Sequence, residues 1–116
     1  MSLDLAVPIL RIAQVAIRNA VDHANAEQID VVLSITSRGT TLVVRDDGDG
    51  FDVVATETRL GKTGGLGILA MRERTELAGG TLDIRSAVDI GTEVRAVFLT
   101  NEQPVSPPHA VHVADR

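Results

Sequence analysis

The segment Arg-Asp-Asp-Gly-Asp-Gly-Phe at residues 45–51 decides the predicted fold, because an apolar run changes there abruptly into acid and glycine. The preceding residues 41–44 read Thr-Leu-Val-Val, whose β-branched and aliphatic character predicts a strand. This strand would deliver a carboxylate to the edge of a core. Gly48 and Gly50 would then allow a turn that presents only backbone on its outer side, against which something flat could lie.

The composition is that of one ordinary globular domain. The chain has 116 residues, of which 44% are hydrophobic and 23% charged, enough for one modest core. Its net charge of −5 argues against nucleic acid or an anionic membrane as a partner, because both favour a basic face. No cysteine is present, which excludes disulfide and thiolate chemistry and fits a reducing cytoplasm.

On the N-terminal side of the central segment, a helix is predicted over residues 5–24, because apolar residues recur there at spacings of three and four. Asn19 and His23 lie on its mainly apolar face. Each alone is compatible with a helix-end amide or a core histidine, but as a pair one turn apart they could together face a phosphate or a metal ion. Residues 29–37 alternate as a strand should, and a hairpin turn at residues 37–40 would join this strand to the next.

Glycine is concentrated on the C-terminal side. Six of the ten glycines lie between residues 48 and 67, and residues 61–65 are too rich in glycine to hold one shape without a ligand, so we predict a mobile lid there. Residues 51–60 are predicted as a short helix or an irregular segment. A second helix is predicted over residues 66–78, and two strands over residues 81–86 and 92–99.

Residues 101–116 are predicted to form a disordered tail that follows a domain over residues 1–100. Three of the four prolines lie in this tail. We interpret its His109 and His112 as bystanders rather than metal ligands.

Three common glycine or acid motifs fit poorly. Residues 61–63 end like a phosphate-binding P-loop, but Thr56 stands where that motif requires glycine. Residues 65–70 match a lenient dinucleotide fingerprint without an enclosing βαβ unit. Residues 47–50 overlay part of a calcium loop whose first and twelfth ligands would be Arg45 and Thr56, which excludes calcium.

Four blocks in order resemble the catalytic ATP-binding domain of sensor histidine kinases, within the superfamily that also holds gyrase, Hsp90 and MutL ATPases. Residues 14–24 resemble the N box, and residues 46–51, 65–74 and 91–94 resemble the three glycine boxes. Met-Arg-Glu-Arg at residues 71–74, followed by Ala-Gly-Gly-Thr-Leu at residues 78–82, is similar to kinases that signal to NarL/LuxR-type response regulators. The resemblance covers about residues 9–99. It implies an α/β (α+β) fold in which helices cover a mixed, largely antiparallel sheet as a two-layer sandwich.

The resemblance implies ATP and Mg²⁺ as ligands. Asp46 would accept a hydrogen bond from the adenine amino group and reject guanine, which offers no donor there. Asn19 would hold Mg²⁺ through its carbonyl oxygen, and His23 would contact phosphate. The remaining implied ATP-binding residues are two glycines of the first glycine box, a threonine at its edge, and a lid that closes on the triphosphate: Gly48, Gly50, Thr92, Lys62, Thr63, Gly64, Gly65, Leu66 and Gly67. The competing interpretation is a hairpin with ordinary turns and helix ends.

Val15 departs from the family pattern, since kinases of this type usually carry Glu four residues before the N-box Asn. Where that acid activates a water or a serine hydroxyl it is the general base, and its loss should be severe. A histidine acceptor already presents a lone pair. The sequence therefore assigns no catalytic residue and disfavours an anti-sigma-factor-type serine kinase, while a degenerate nucleotide-binding or docking module stays open.

The resemblance also implies partners. The γ-phosphate would pass to a histidine on a dimerisation domain that is absent from this chain, and a NarL/LuxR-type response regulator would receive the signal. We expect this chain alone to bind ATP without phosphorylating itself, and to contact neither nucleic acid nor membrane directly. The implied location is the cytoplasm, either as a free protein or as the cytoplasmic domain of a membrane-bound sensor.

Overall fold

The computed structural model describes residues 3–51, 67–99 and 109–115. The short helix or irregular segment predicted beyond residue 51 and the lid predicted over residues 61–65 lie outside these ranges. The elements in chain order are a helix α1 (Leu3–Arg18), a π-helical turn (Asn19–His23), the strands β1 (Ile29–Thr36) and β2 (Gly39–Asp46), a helix α2 (Ile68–Leu77), and the strands β3 (Thr81–Ala87), β4 (Gly91–Leu99) and β5 (His109–Asp115).

The strands form one sheet in the order β3-β4-β2-β1-β5. All four pairings among them are antiparallel. The predicted two-layer fold with a largely antiparallel sheet is confirmed, although no parallel pair, as the word mixed implies, occurs among the described strands. Alternation along β2 buries Leu42 and Val44 while Arg45 is exposed, because successive side chains of a strand point to opposite faces.

Both helices cover the buried face of this sheet. Ile9, Ile12 and Ala16 of α1 are buried together with Met71 of α2, and α1 contacts both α2 and β2. Full burial of a side chain as large as Ile12 contributes about 1.5–3 kcal/mol. The described helices include none that is long and apolar enough to cross a membrane.

The predicted single helix over residues 5–24 differs from the observed one. The α-helix begins at Leu3 and ends at Arg18, and the chain then widens into a π-helical turn in which the Ala24 N–H donates to the Asn19 carbonyl oxygen at 3.0 Å. This hydrogen bond spans five residues instead of four, a geometry that often marks functional sites. Over a single turn, apolar spacing cannot distinguish the two kinds of helix.

The prediction of a disordered tail does not hold for residues 109–115. These residues form β5, which pairs antiparallel with β1. Their sequence, His-Ala-Val-His-Val-Ala-Asp, contains no proline, and β1 would otherwise leave unpaired backbone groups at a sheet edge. The prolines that suggested disorder all precede this strand.

Candidate functional site

A cavity of ≈ 80 Å³ lies between the helices and the end of the sheet where β2 ends and β4 begins. Val44, Ile84 and Val94 contribute its apolar wall from the sheet, and Met71 lies opposite on α2. Five of the predicted site residues line this cavity: Asn19, His23, Asp46, Gly50 and Thr92. The structure therefore brings together an acid from the sheet and an amide from the end of the first helical segment.

Asp46 is the last residue of β2 and presents a partly buried carboxyl group. Its Oδ1 accepts a hydrogen bond from the Gly48 N–H at 2.8 Å, and Thr92 of β4 pairs with it across the sheet. Burial raises the pKa of the Asp46 carboxyl above its ordinary value of 3.8, against the opposing effect of backbone hydrogen bonds from Gly48 and Thr92. A partly desolvated carboxylate is a strong acceptor for a donor on a bound molecule.

The turn that follows Asp46 is fixed to the segment after the π-helical turn. Oδ1 of Asp47 accepts hydrogen bonds from the N–H groups of Glu27 and Gln28, each at 2.9 Å. The backbone hydrogen bond from Gln28 is the main cause that holds the pKa of Asp47 below its ordinary value. Sequence reasoning missed this positioning role, because the alternation that orients Asp46 ends with the strand.

The same turn is fixed to the β3–β4 hairpin and to the end of the π-helical turn. The Asp49 N–H donates to the Ala24 carbonyl oxygen at 2.8 Å, and the Asp89 N–H donates to the Asp49 carbonyl oxygen at 2.6 Å. These are hydrogen bonds between peptide groups. They fix the turn after Asp46, and with it the position of Asp46 at the cavity, from the π-helical turn on one side and the β3–β4 hairpin on the other.

The glycines of this turn make room for the protein's own backbone. A Cβ on Gly48 would lie 2.6 Å from the Ala24 carbonyl oxygen, and Gly50, at φ +66, would press a Cβ against the Ala87 carbonyl. Of the two, only Gly50 lines the cavity. Close packing thus explains glycine at residue 48, where the sequence had suggested close approach of a ligand.

Val15 connects α1 to the start of α2. It packs partly buried against the core, and its Cγ1 lies 2.9 Å from the place where a Cβ on Gly67 would be. Gly67 adopts φ +67 immediately before α2, a conformation that favours glycine. The position of the missing acid is therefore an apolar contact with the start of the second helix.

The rest of the predicted site falls outside the described residues, namely Lys62, Thr63, Gly64, Gly65 and Leu66. Within the described ranges, no group of three or more His, Cys, Asp or Glu side chains could hold a metal ion.

Comparisons with known proteins agree with this geometry. A family model described as "Histidine kinase-, DNA gyrase B-, and HSP90-like ATPase" matches residues 5–102. The chain is 38% identical over 86 residues to the signal transduction histidine-protein kinase/phosphatase DegS of Bacillus subtilis (strain 168), which covers 74% of this chain and 22% of that protein. It is 33% identical over 88 residues to DegS of Brevibacillus brevis, covering 76% of this chain and 22% of that protein.

Among solved structures, the ATP binding domain of PrrB from Mycobacterium tuberculosis matches with a TM-score of 0.62. This match covers 85% of this chain and 68% of that chain at 19% sequence identity, so it supports the fold alone. The chain spans about a fifth of the length of the two DegS proteins.

Proposed function

Because the chain belongs to the family of histidine kinase-, DNA gyrase B- and HSP90-like ATPases, we propose that it is the ATP-binding catalytic domain of a two-component sensor histidine kinase. It binds Mg-ATP and presents the γ-phosphate to a histidine on a dimerisation domain outside this chain. One observation carries this proposal: the Asp46 carboxylate and the Asn19 amide, from separate elements, line one cavity.

The sheet end of the cavity suits an adenine base. Asp46 accepts a hydrogen bond from the amino group at C6, and the carbonyl oxygen that guanine has at that position would meet a carboxylate without a proton between them. Apolar side chains such as Met71 and Ile84 line the same cavity and suit the face of an aromatic ring. Thr92 lies beside Asp46 at the edge of the base, with Gly48 and Gly50 in the adjoining turn.

The helix end of the cavity suits the phosphates. Asn19 offers a carbonyl oxygen to Mg²⁺, which in nucleotide sites keeps several waters and takes other oxygen ligands from the phosphates. The ion would neutralise charge on the transferred phosphate. His23 contacts phosphate, and Gly67 opens α2, whose first N–H groups face an anion favourably. The five residues from Lys62 to Leu66 belong to the same proposal.

Val15 restricts the acceptor. An apolar side chain in contact with the start of α2 offers no base to a serine hydroxyl, whereas a neutral imidazole needs none. Phosphotransfer to histidine is therefore favoured over phosphorylation of serine. The motifs at residues 71–74 and 78–82 support a response regulator of the NarL/LuxR kind as the cognate partner, in the cytoplasm.

Two measurements, made one after the other, test the proposal. Isothermal titration calorimetry of this chain with ATP and Mg²⁺ should show one binding event, and the absence of heat up to millimolar nucleotide would refute ATP binding. When this chain is then mixed with radiolabelled ATP and candidate helical hairpins, it should transfer the label to hairpins that carry an acceptor histidine. Hairpins with Gln in place of that histidine serve as controls. Labelling of serine instead would refute histidine as the acceptor.

A further inference from the structure

Ser86 lies near the end of β3, beside the cavity but not among the residues that line it. Three groups surround its hydroxyl oxygen. The Phe51 N–H donates to Ser86 Oγ at 2.9 Å, Ser86 Oγ donates to the Gly91 carbonyl oxygen at 3.1 Å, and the Thr92 Oγ1 atom lies 2.7 Å away. Ser86 thus joins the end of the Asp46 turn to the β3–β4 hairpin.

The hydrogen-bonding capacity of a hydroxyl group fixes the direction of each bond. A serine hydroxyl has one proton and two lone pairs. The Gly91 carbonyl can only accept, so it takes the Ser86 proton, and the Phe51 N–H can only donate, so it takes one lone pair. All three contacts are hydrogen bonds at the same time only when the second lone pair of Ser86 accepts from Thr92, which makes the Thr92 hydroxyl the donor in the 2.7 Å contact.

Thr92 has consequently given away its only proton. Its oxygen retains lone pairs alone, and Thr92 lines the cavity. Asp46, its partner across the sheet, is also an acceptor when ionised. The edge of the cavity thus carries two neighbouring acceptors, and no hydroxyl proton of Thr92 remains for a carbonyl group of a ligand.

We propose that Ser86 is a positioning residue for base specificity: by taking the Thr92 proton, it keeps Thr92 an acceptor that favours a purine with an amino group at C6 over one with a carbonyl group there. This inference rests on the proposed binding of ATP. Thr92 accepts directly from the amino group at C6 of the base. Without the Ser86 hydroxyl, the Thr92 hydroxyl rotates and donates its proton to a C6 carbonyl.

The test compares ATP with ITP, which has a carbonyl at C6 and a proton on N1 where ATP has an amino group at C6 and an unprotonated N1. Calorimetry with excess Mg²⁺ gives the ratio of the two Kd values for the wild type and for Ser86→Ala. We expect this preference for ATP to fall roughly 2- to 10-fold in Ser86→Ala, the size of one neutral hydrogen bond. Ser86→Thr keeps the hydroxyl and should retain the wild-type preference.

A merely structural role for Ser86 predicts a different pattern. Loss of the Phe51 contact alone would weaken ATP and ITP by the same factor and leave their ratio unchanged. If Ser86 acts through Thr92, the change in ratio should disappear when Ser86→Ala is made in a Thr92→Val background, because coupled residues are not additive. Ser86→Cys, with a weak donor and acceptor, provides a second disrupting variant should Ser86→Ala fail to fold.

The outcomes separate this inference from the proposed function. An unchanged ATP-to-ITP ratio in a folded Ser86→Ala or Ser86→Cys chain that still binds ATP overturns the role of Ser86 and leaves the kinase proposal standing. A ratio that changes equally with and without the Thr92 hydroxyl also overturns the role of Ser86. A wild-type chain that binds neither nucleotide refutes both proposals.

Discussion

Asp46→Asn keeps the size of the side chain and replaces one carboxylate oxygen with the NH2 group of an amide. The remaining oxygen can still accept from Gly48 at the 2.8 Å position, which directs the new donor towards the other partners of Asp46. In the proposed complex it would face the amino group of adenine, another donor. A hydrogen bond to a charged group contributes about 1.5–3 kcal/mol, so the Kd for ATP should rise roughly 10- to 150-fold, at about 1.4 kcal/mol per factor of ten.

The assay is calorimetry with ATP and excess Mg²⁺, supported by thermal unfolding of each variant. We expect the free energy of unfolding of Asp46→Asn to change by no more than about 1 kcal/mol. Loss of the backbone hydrogen bond from Thr92 is offset by removal of a partly buried charge. Asp83→Asn is the matched control. Its side chain is 57% exposed and pairs with neighbouring Arg85 at 3.0 Å, so its ATP affinity should equal that of the wild type. A folded Asp46→Asn chain with wild-type ATP affinity would remove Asp46 from the site.

The pKa of Asp46 gives this prediction a pH dependence. Since its pKa is raised above 3.8, the carboxyl takes up its proton at a higher pH than an ordinary aspartate, and ATP affinity should fall as the pH drops through that raised pKa. The folded chain binds this proton more tightly than the unfolded chain, so the contribution of Asp46 to stability declines as the pH rises from 3.8 through the raised pKa. In Asp46→Asn the corresponding part of the pH dependence of ATP binding should disappear, and its persistence would assign it to another group.

Gly67→Ala should lower the free energy of unfolding by about 1–2 kcal/mol because of its left-handed backbone, and should also weaken ATP binding, because the new Cβ would meet Val15. Gly79→Ala, at φ +83 with nothing within 4 Å of its Cβ, should show a comparable loss in thermal unfolding and unchanged ATP affinity. Asp47→Asn should lower the melting temperature, because its charge strengthens the hydrogen bond from Gln28. Since the pKa of Asp47 is lowered, wild-type stability attributable to it is lost as the pH falls through that lowered pKa, and this loss should shrink in the variant.

Two results would contradict these last predictions. Equal ATP affinity in the Gly67→Ala and Gly79→Ala chains would show that the contact with Val15 does not matter for the nucleotide. Asp47→Asn with an unchanged melting temperature and an unchanged acid transition would show that the turn after Asp46 holds without its charge.

Strand alternation explains how much of the site the sequence could predict. Leu42 and Val44 point to the core, so period two places Asp46 on the same face, at the end of the strand, as the structure shows. The same rule implies that Asp46 faces a residue on a neighbouring strand, but it does not identify that residue. The β2–β4 register shows that it is Thr92. Beyond residue 46 the alternation stops, so the backbone partners of Asp47 could not be predicted.

Other differences arise from interactions that no local pattern records. The π-helical turn differs from an α-helix by one residue in one hydrogen bond, and apolar spacing does not resolve that difference at Asn19 and His23. Residues 109–115 alternate weakly, and their pairing depends on an edge that β1 offers from nearly eighty residues earlier. The disorder prediction rested on the prolines that precede residue 109, and local composition contains no information about this distant partner strand.

The fixation of the Asp46 turn through peptide groups has a consequence for mutagenesis. Ala24, Gln28 and Asp89 each hold the turn by a carbonyl oxygen or an N–H group, and these groups are present whatever side chain the residue carries. Truncation of Gln28 to alanine would therefore leave these hydrogen bonds in place, although the proposed purine edge depends on the geometry that they maintain.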